Sequence, residues 1–358
     1  MIKRSFILGS YYLSHLKSVL AFKVRLVDFV NRSNINWFQP LIRGRYVIAK
    51  RMYFKKGNIS LNYRYFICDV FTKRKFGGNQ LAVLPDAEGL SEMYMQDVAR
   101  EFNFSETAFV FPPEGGHTKK IRIYTPTTEV PFAGHPTIGT AFALAQRGDF
   151  GDIDKSIKVT FEEKAGTVQV DIRRDDEDGI TCELKAPSEL IIGEYVPKQL
   201  IADTLSLRES EIVTTTHAPQ MASVGLPFIF VELSSLSALQ QAEISMPQFQ
   251  KLLNRGFESF IHLYCRNIDG FDIRARMFAP MDGVREDPAT GSANCALIGL
   301  LSYHDPRADL NIKWTISQGT EIGRPSILHG RSEKINGHVT NTWIGGNSVL
   351  VSEGVLRI

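Results

Sequence analysis

The sequence predicts an α+β protein of two pseudo-symmetric lobes, each a curved, mostly antiparallel sheet wrapped around one central apolar helix. Three observations predict it. The first is an internal repeat. Arg122-Ile-Tyr-Thr-Pro126, a Gly-rich turn and a helix through Ala143-Leu144 recur as Arg276-Met-Phe-Ala-Pro280, a turn and a helix through Ala296-Leu297. The copies lie roughly 150 residues apart, which suits one supersecondary lobe per copy; a solenoid would repeat every ~20–50 residues. The second is the repeated helix itself. Ile138, Ala141, Phe142 and Ala145 share a face and the opposite face is built of small residues, the pattern of a helix buried nearly all round. The third is a series of short β-branched and aromatic runs bounded by turn residues.

From Tyr63 onward the elements follow in order. Tyr65–Phe71 reads as a strand, Gly77-Gly78 as a turn and Gln80–Leu84 as a second strand. Ser91 is placed to cap a helix whose Met95, Val98, Ala99 and Phe102 form one apolar face. Strands resume at Thr107–Phe111 and Lys120–Tyr124. Pro136 then opens the apolar helix, which ends before Gly148. The boundary between lobes is expected in Lys185–Lys198, around Pro187, Gly193 and Pro197. This assigns 61–187 to the N-terminal lobe and 188–358 to the C-terminal lobe, with the last strand free to return to the first.

Composition narrows the class. The chain has 358 residues, 43% hydrophobic and 22% charged, ordinary for a folded enzyme. Its net charge of +2 conceals an asymmetry. Residues 1–60 hold 12 Lys/Arg and a single acid, Asp28; the remainder holds 29 bases and 38 acids. The base excess lies outside the expected core and gives no reason to invoke nucleic acid. This basic leader has three readings: a mitochondrial transit peptide, a segment upstream of a true start at Met52, or a genuine extension. It is excluded from the expected fold, and a cytoplasmic protein is the main expectation. Cys68, Cys182, Cys265 and Cys295 are widely spaced, suggesting reduced thiols and neither a disulfide framework nor a zinc site. No apolar stretch is long enough for a membrane helix. H-E-x-x-H, G-x-G-x-x-G and Walker-type loops are all missing. No metal or cofactor is expected.

The chemistry is expected where each repeat copy enters its helix, at Phe132-Ala-Gly134-His135-Pro136-Thr137 and Glu286-Asp287-Pro288-Ala-Thr290-Gly291-Ser292. A helix N-terminus presents unpaired N–H groups and a partial positive charge, so two of them across a cleft form a double cradle for a small carboxylate. Gly134 and Gly291 are read as letting a ligand approach the backbone. Asp287 and Ser292 read equally well as capping and first-turn residues. Glu106 stands at the start of an apolar strand. Taken alone it reads as a solvated carboxylate; in a dry pocket its pKa would rise towards neutrality and it could exchange protons. His135, alone a structural histidine, could bind substrate or tune Glu106 from the helix start.

Several segments, in order, resemble the successive signatures of the PhzF-like family of phenazine-biosynthesis isomerases and epimerases. They are Asp69-Val-Phe-Thr, Gly78-Asn79-Gln-Leu-Ala-Val, Ser105-Glu106-Thr107, Gly134-His135-Pro136-Thr137 and Glu286-Asp287-Pro288-Ala-Thr290-Gly291-Ser292-Ala. The resemblance covers about Tyr63 to Ile358. It implies the diaminopimelate-epimerase fold with the active site between lobes, and a homodimer. It places the catalytic glutamate on Glu106 and its supporting groups on His135, Asp287 and Ser292, with Asn79, Gly134 and Gly291 beside the substrate. Related epimerases carry a cysteine at each helix N-terminus, whereas this sequence has none there. The activity this resemblance implies is a cofactor-free isomerase that moves a proton, with a double-bond shift, on a small carboxylic acid, for which a dihydro-hydroxyanthranilate-like acid is the named candidate. The alternatives are an epimerase or racemase of amino-acid-like acids, and a non-catalytic ligand-binding protein.

Overall fold

The computed structural model describes residues 62–177 and 179–358. The basic leader, and with it the expectations placed on residues 1–60, lies outside the described residues. Among the described residues, seventeen strands join one continuous hydrogen-bonded sheet, and six α-helices pack inside or against it.

The first lobe runs β1 (Asn62–Val70), β2 (Asn79–Leu84), α1 (Glu92–Phe102), β3 (Glu106–Phe111), β4 (Lys119–Tyr124), β5 (Glu129–Val130), α2 (Gly134–Arg147), β6 (Ser156–Glu163), β7 (Gly166–Asp175) and β8 (Gly179–Lys185). The second runs β9 (Ile191–Tyr195), α3 (Lys198–Thr204), β10 (Gln220–Ser223), β11 (Pro227–Glu232), α4 (Leu236–Gln241), α5 (Met246–Asn254), β12 (Ile261–Ile268), β13 (Phe271–Ala279), β14 (Val284–Asp287), α6 (Gly291–His304), β15 (Leu310–Gln318), β16 (Ser326–Ile335) and β17 (His338–Arg357).

Strand pairing makes the pseudo-symmetry explicit. In the first lobe β1 pairs β2, β2 pairs β3 in parallel, β3 pairs β4, β4 pairs β6 in parallel, and β6, β7 and β8 follow antiparallel. In the second, β10 pairs β11, β11 pairs β12 in parallel, β12 pairs β13, β13 pairs β15 in parallel, and β15, β16 and β17 follow antiparallel. Parallel neighbours require a crossover, and each parallel β4–β6 or β13–β15 crossover is the buried helix. β17 serves both lobes: its early residues pair β16, Trp343–Asn347 pair β8, and its later residues pair β1, closing the first ring.

Each half of the sheet wraps around its helix. Every residue of α2 from Gly134 to Ala145 is buried, and every residue of α6 from Gly291 to Ser302. Ile138, Ala141 and Leu144, with Cys295, Leu297 and Ile298, belong to one buried apolar cluster with Val70, Leu81, Val83, Ala108 and Phe161 of the first lobe and Ile273, Ile316, Leu328 and Ile344 of the second. Burying a side chain such as Leu144 stabilises by about 1.5–3 kcal/mol. The small face has its own reason, because a Cβ on Gly139 would stand 2.5 Å from Leu81. The α2 helix begins at Gly134, placing Pro136 third in the first turn, and ends at Gly148 in the left-handed conformation that glycine favours. Ser91 caps α1 as expected, accepting from the Tyr94 N–H, while Met95, Val98 and Ala99 are buried on the outer face of the first sheet. The outer face of the second carries α3, α4 and α5.

The four cysteines are buried and unpaired. Among the buried acids outside the cleft, Glu163 is the one whose titration shifts strongly. Glu163, at the end of β6, bonds the Thr137 hydroxyl at 2.6 Å, and burial pushes its carboxyl from the ordinary 4.5 to about 8. Between these values the folded chain keeps a proton that the unfolded chain has lost, so stability falls as pH rises through that window. Glu163→Gln should flatten the fall, measured by urea unfolding at several pH values. A slope identical to that of the parent chain would show that Glu163 does not titrate there.

Candidate active site

The two buried helices meet tip to tip. A Cβ on Gly134 would lie 2.6 Å from the Ser292 backbone nitrogen and 2.7 Å from the Gly291 carbonyl carbon; one on Gly291 would lie 3.0 Å from Gly134 Cα. These glycines are therefore required first by the approach of one helix to the other, a different reason from the ligand approach expected from sequence. Neither N-terminus has a side-chain cap: the cap positions are Ala133 and Thr290, and neither makes the capping bond. Asp287 does not cap α6 either. Its Oδ2 accepts from the Thr290 hydroxyl at 2.6 Å and its Oδ1 from Asn79 at 2.8 Å.

Asn79 is the cross-lobe link. Its amide, buried at the start of β2, also reaches His135 Nδ1 at 3.2 Å and the Ala289 carbonyl at 2.9 Å. Two amide hydrogens are thus shared among three acceptors. Arg324, from the loop between β15 and β16, fastens the preceding turn by donating to the carbonyls of Gly78 (2.8 Å) and Gly77 (2.6 Å) and to Asp69 Oδ1 (2.5 Å).

His135 Nδ1 lies 3.5 Å from Glu106 Oε2. Burial pushes the imidazole down to about 3, against a smaller upward pull from the Gln80 backbone, so the ring is neutral at neutral pH. The contact is therefore not an ion pair. Glu106 Oε2 and His135 Nε2 are both buried without a partner of hydrogen-bond geometry. Burial, then the negative charges of Asp287 and Asp282, hold the Glu106 carboxyl well above the usual carboxylate range. Asp287 is also raised, by burial first; bonds from Ser105, Thr290 and Asn79 work against the rise.

Glu106, Asp287 and Ser292 share one cavity of about 30 Å³, with Ser105, Thr125, Thr290 and Asp282 as further polar lining and Leu226, Phe228, Phe260 and Met277 as apolar wall. The structure brings all seven residues singled out from sequence to one place. Two more were not foreseen. Asp282 follows Pro280 of the repeat but had no motif to mark it. Gln318 is fully buried and uses its whole amide: Oε1 accepts from Thr290 N and Asn294, while Nε2 donates to the Asp287 carbonyl and the Thr290 hydroxyl, at 2.8–3.1 Å. A buried amide satisfied at every position holds the Asp287–Thr290 turn in register. The only sequence signal for it was a glutamine at the end of a strand.

Among the described residues no group of three or more His, Cys, Asp or Glu could hold a metal ion, and no helix is long and apolar enough to cross a membrane. Cys295 is buried against Thr342, with its thiol pushed up to about 12.

Replacing Gly134 by Ala drives a methyl into backbone, which cannot rotate away. The helix tips must separate, at a cost of about 1–3 kcal/mol or more. Thermal unfolding checks this, and a variant melting with the parent chain would show that the tips have room.

Comparison with known proteins agrees with this geometry. An uncharacterized isomerase of Mesorhizobium japonicum is 36% identical over 304 residues, covering 82% of this chain and 98% of that protein. The trans-2,3-dihydro-3-hydroxyanthranilate isomerase of Pseudomonas aeruginosa is 34% identical over 294 residues, again 82% of this chain and 98% of its own length. A crystal structure of the Bacillus anthracis phenazine biosynthesis protein of the PhzF family superposes with a TM-score of 0.73 at 23% identity, covering 83% of this chain and all of that one. The fold is the diaminopimelate-epimerase-like one that the sequence resemblance implied. The family described as phenazine biosynthesis-like protein (PhzC-PhzF) matches residues 68–354, a range that holds both helix tips, Glu106 and the cavity; this chain belongs to that family.

Proposed function

We propose that this chain is a cofactor-independent isomerase that shifts a proton, and with it a double bond, on a small unsaturated carboxylic acid. Glu106 is the proton carrier. The observation that carries this reading is the state of its carboxyl on the cavity wall: raised well above the ordinary range, lacking a partner for Oε2, and 3.5 Å from the neutral His135. Carboxyl groups in such surroundings exchange protons near neutral pH.

The step consumes no reagent. The carboxylate form of Glu106 takes a proton from a carbon activated by conjugation with the substrate's acid group. The C–H electron pair enters the conjugated system, and the charge spreads towards the substrate carboxylate. The N–H groups at the tips near Gly134 and Gly291, with the Ser292 hydroxyl, receive that charge. Glu106 then returns the proton to a different carbon, and the double bond has moved. Asp287 and His135 orient the substrate and hold Glu106 in its working protonation states. The Pseudomonas aeruginosa relative supports a dihydro-hydroxyanthranilate-like acid as substrate. Two-thiol racemase chemistry has no support at the tips, which read Gly134-His135 and Gly291-Ser292.

A cavity of about 30 Å³ holds roughly two waters. By resemblance to the family, the working unit is read as a cytoplasmic homodimer.

Glu106→Gln should lower turnover by about 10²–10⁴-fold with unchanged circular dichroism and melting. Deuterium uptake into substrate in D2O reports the step directly. In the parent chain kcat/KM should rise with pH through a limb well above the ordinary carboxylate value of 4.5, because the base form appears only above the raised pKa. Exchange that survives in the glutamine variant removes Glu106 from the mechanism.

A further inference from the structure

Glu163, the buried carboxyl outside the cleft, has no part in the mechanism above. It closes β6 beside the first turn of α2, where its Oε1 lies 2.6 Å from the Thr137 hydroxyl. The same hydroxyl lies 2.8 Å from the Ala133 carbonyl, which the Thr137 N–H also reaches at 3.3 Å. A hydroxyl has one hydrogen to give, and a carbonyl can only accept. Both contacts are hydrogen bonds at once only when Glu163 is protonated and donates to Thr137, leaving the Thr137 hydrogen for Ala133. Among the described residues nothing bonds Glu163 Oε2. An ionised Glu163 would therefore have a single donor, the hydroxyl it takes from Ala133, and a buried carboxylate so poorly served is costly. Burial accordingly pushes its carboxyl up to about 8.

The charges around Glu163 are matched among themselves. Arg122 on β4 pairs Glu129 on β5 and Glu92 on α1, and Lys164 pairs Glu129 at 3.7 Å. Lys120 pairs Glu114, and Glu162 accepts from the Glu114 and Gly115 N–H groups. These residues and Glu163 line a surface depression of about 540 Å³, where its proton can exchange with water without crossing the cleft. Its β7 neighbour is Gly166, and the titratable side chain in the first turn of α2 is the neutral His135.

The Ala133 carbonyl and the Gly134 N–H are the two ends of one planar peptide and point in opposite directions. Holding the carbonyl aims the N–H, the first of α2 and one without an acceptor inside the helix. We propose that the proton on Glu163 sets the Gly134 end of the acid cradle, which makes Glu163 a positioning residue. Protonated, it donates to Thr137, whose hydroxyl holds the Ala133 carbonyl. Ionised, it draws that hydroxyl to itself, and the carbonyl keeps only the longer bond from the Thr137 N–H. This rests on the reading of the helix tips as the groups that receive the substrate's charge. Turnover then has an upper pH limit set outside the cleft, opposite in sense to the limb set by Glu106.

The Gly134 amide reports this coupling without any substrate. In Glu106→Gln, whose cleft glutamate no longer titrates, its nitrogen-15 and proton shifts should move with a midpoint near 8. Adding Glu163→Gln, or Thr137→Val, should abolish that movement, with circular dichroism at neutral pH checking that each variant is folded. Turnover gives the second readout, on trans-2,3-dihydro-3-hydroxyanthranilate, the acid in the Pseudomonas aeruginosa relative's name. In the parent chain kcat/KM should fall about tenfold from neutral pH to about pH 9.5, part of the 10²–10³ that losing such a donor outright costs. In Glu163→Gln, whose amide donates to Thr137 at every pH, the fall should be absent. A Gly134 amide indifferent to pH, or moving alike with and without Glu163 or Thr137, overturns the coupling. An alkaline fall that survives in Glu163→Gln overturns its role in turnover. Absence of turnover in the parent chain at every pH sinks the isomerase reading on this acid, while the amide titration still decides the coupling.

Discussion

Everything at the cleft depends on two helix N-termini being held against each other with no side chain between them. Like helix ends repel, since each carries about half a positive charge. Burial of two helices inside the wrapped strands of both lobes forces the approach, and glycine at both tips permits it. The close contact leaves no room for capping side chains, so the first-turn N–H groups stay available to a ligand. Glu106, Asp287 and Asp282 line one cavity beside these tips, where burial first and then the charges of the two aspartates hold the Glu106 carboxyl well above the usual carboxylate range.

Both lobes aim their helix with the same device. Arg122 on β4 makes a bidentate pair with Glu129 on β5, at 2.7 and 2.9 Å, and its guanidinium lies 5.4 Å from the Tyr124 ring centre. Arg276 on β13 does the same with Glu286 on β14, at 2.9 and 2.7 Å, and lies 4.8 Å from Phe278. Each pair pins the short strand that delivers the chain to its helix tip. Arg276 additionally donates to the carbonyls of Leu239, Gln240 and Ala242, tying the end of α4 to the same point. Such buried pairs contribute little net stability, because desolvation offsets most of the attraction; their value here is geometric. The Arg-x-aromatic element of the repeat is the sequence trace of this device.

Legibility followed the range of the interactions. The α2 helix, its Gly148 stop and the Ser91 cap depend on neighbours within a few residues, so the sequence displayed them. Glu106, His135, Asp287 and Ser292 were found through short ordered motifs, although nothing local distinguishes Glu106 from a solvated carboxylate. Asp282 and Gln318 carry no such mark. Gln318 matters because Thr290, 28 residues away, and Asn294 converge on its amide. Asp282 lies on the wall of the cavity through the turn Pro280–Asp282, which no motif in the chain's order marks.

The sequence by itself determined the two-lobe plan, the buried helices and which residues are candidates for the site, because repeats, apolar periodicity and motifs are properties of the chain's order. Only the tertiary structure decided that the glycines serve helix contact, that His135 is neutral, and that Glu106 shares its cavity with two other acids and no base. Those are consequences of distance and desolvation between segments far apart in the chain; Asn79 and Asp287 are 208 residues apart. A carboxyl's charge state is set by what surrounds it, and the surroundings exist only once the strands of both lobes have wrapped around their helices.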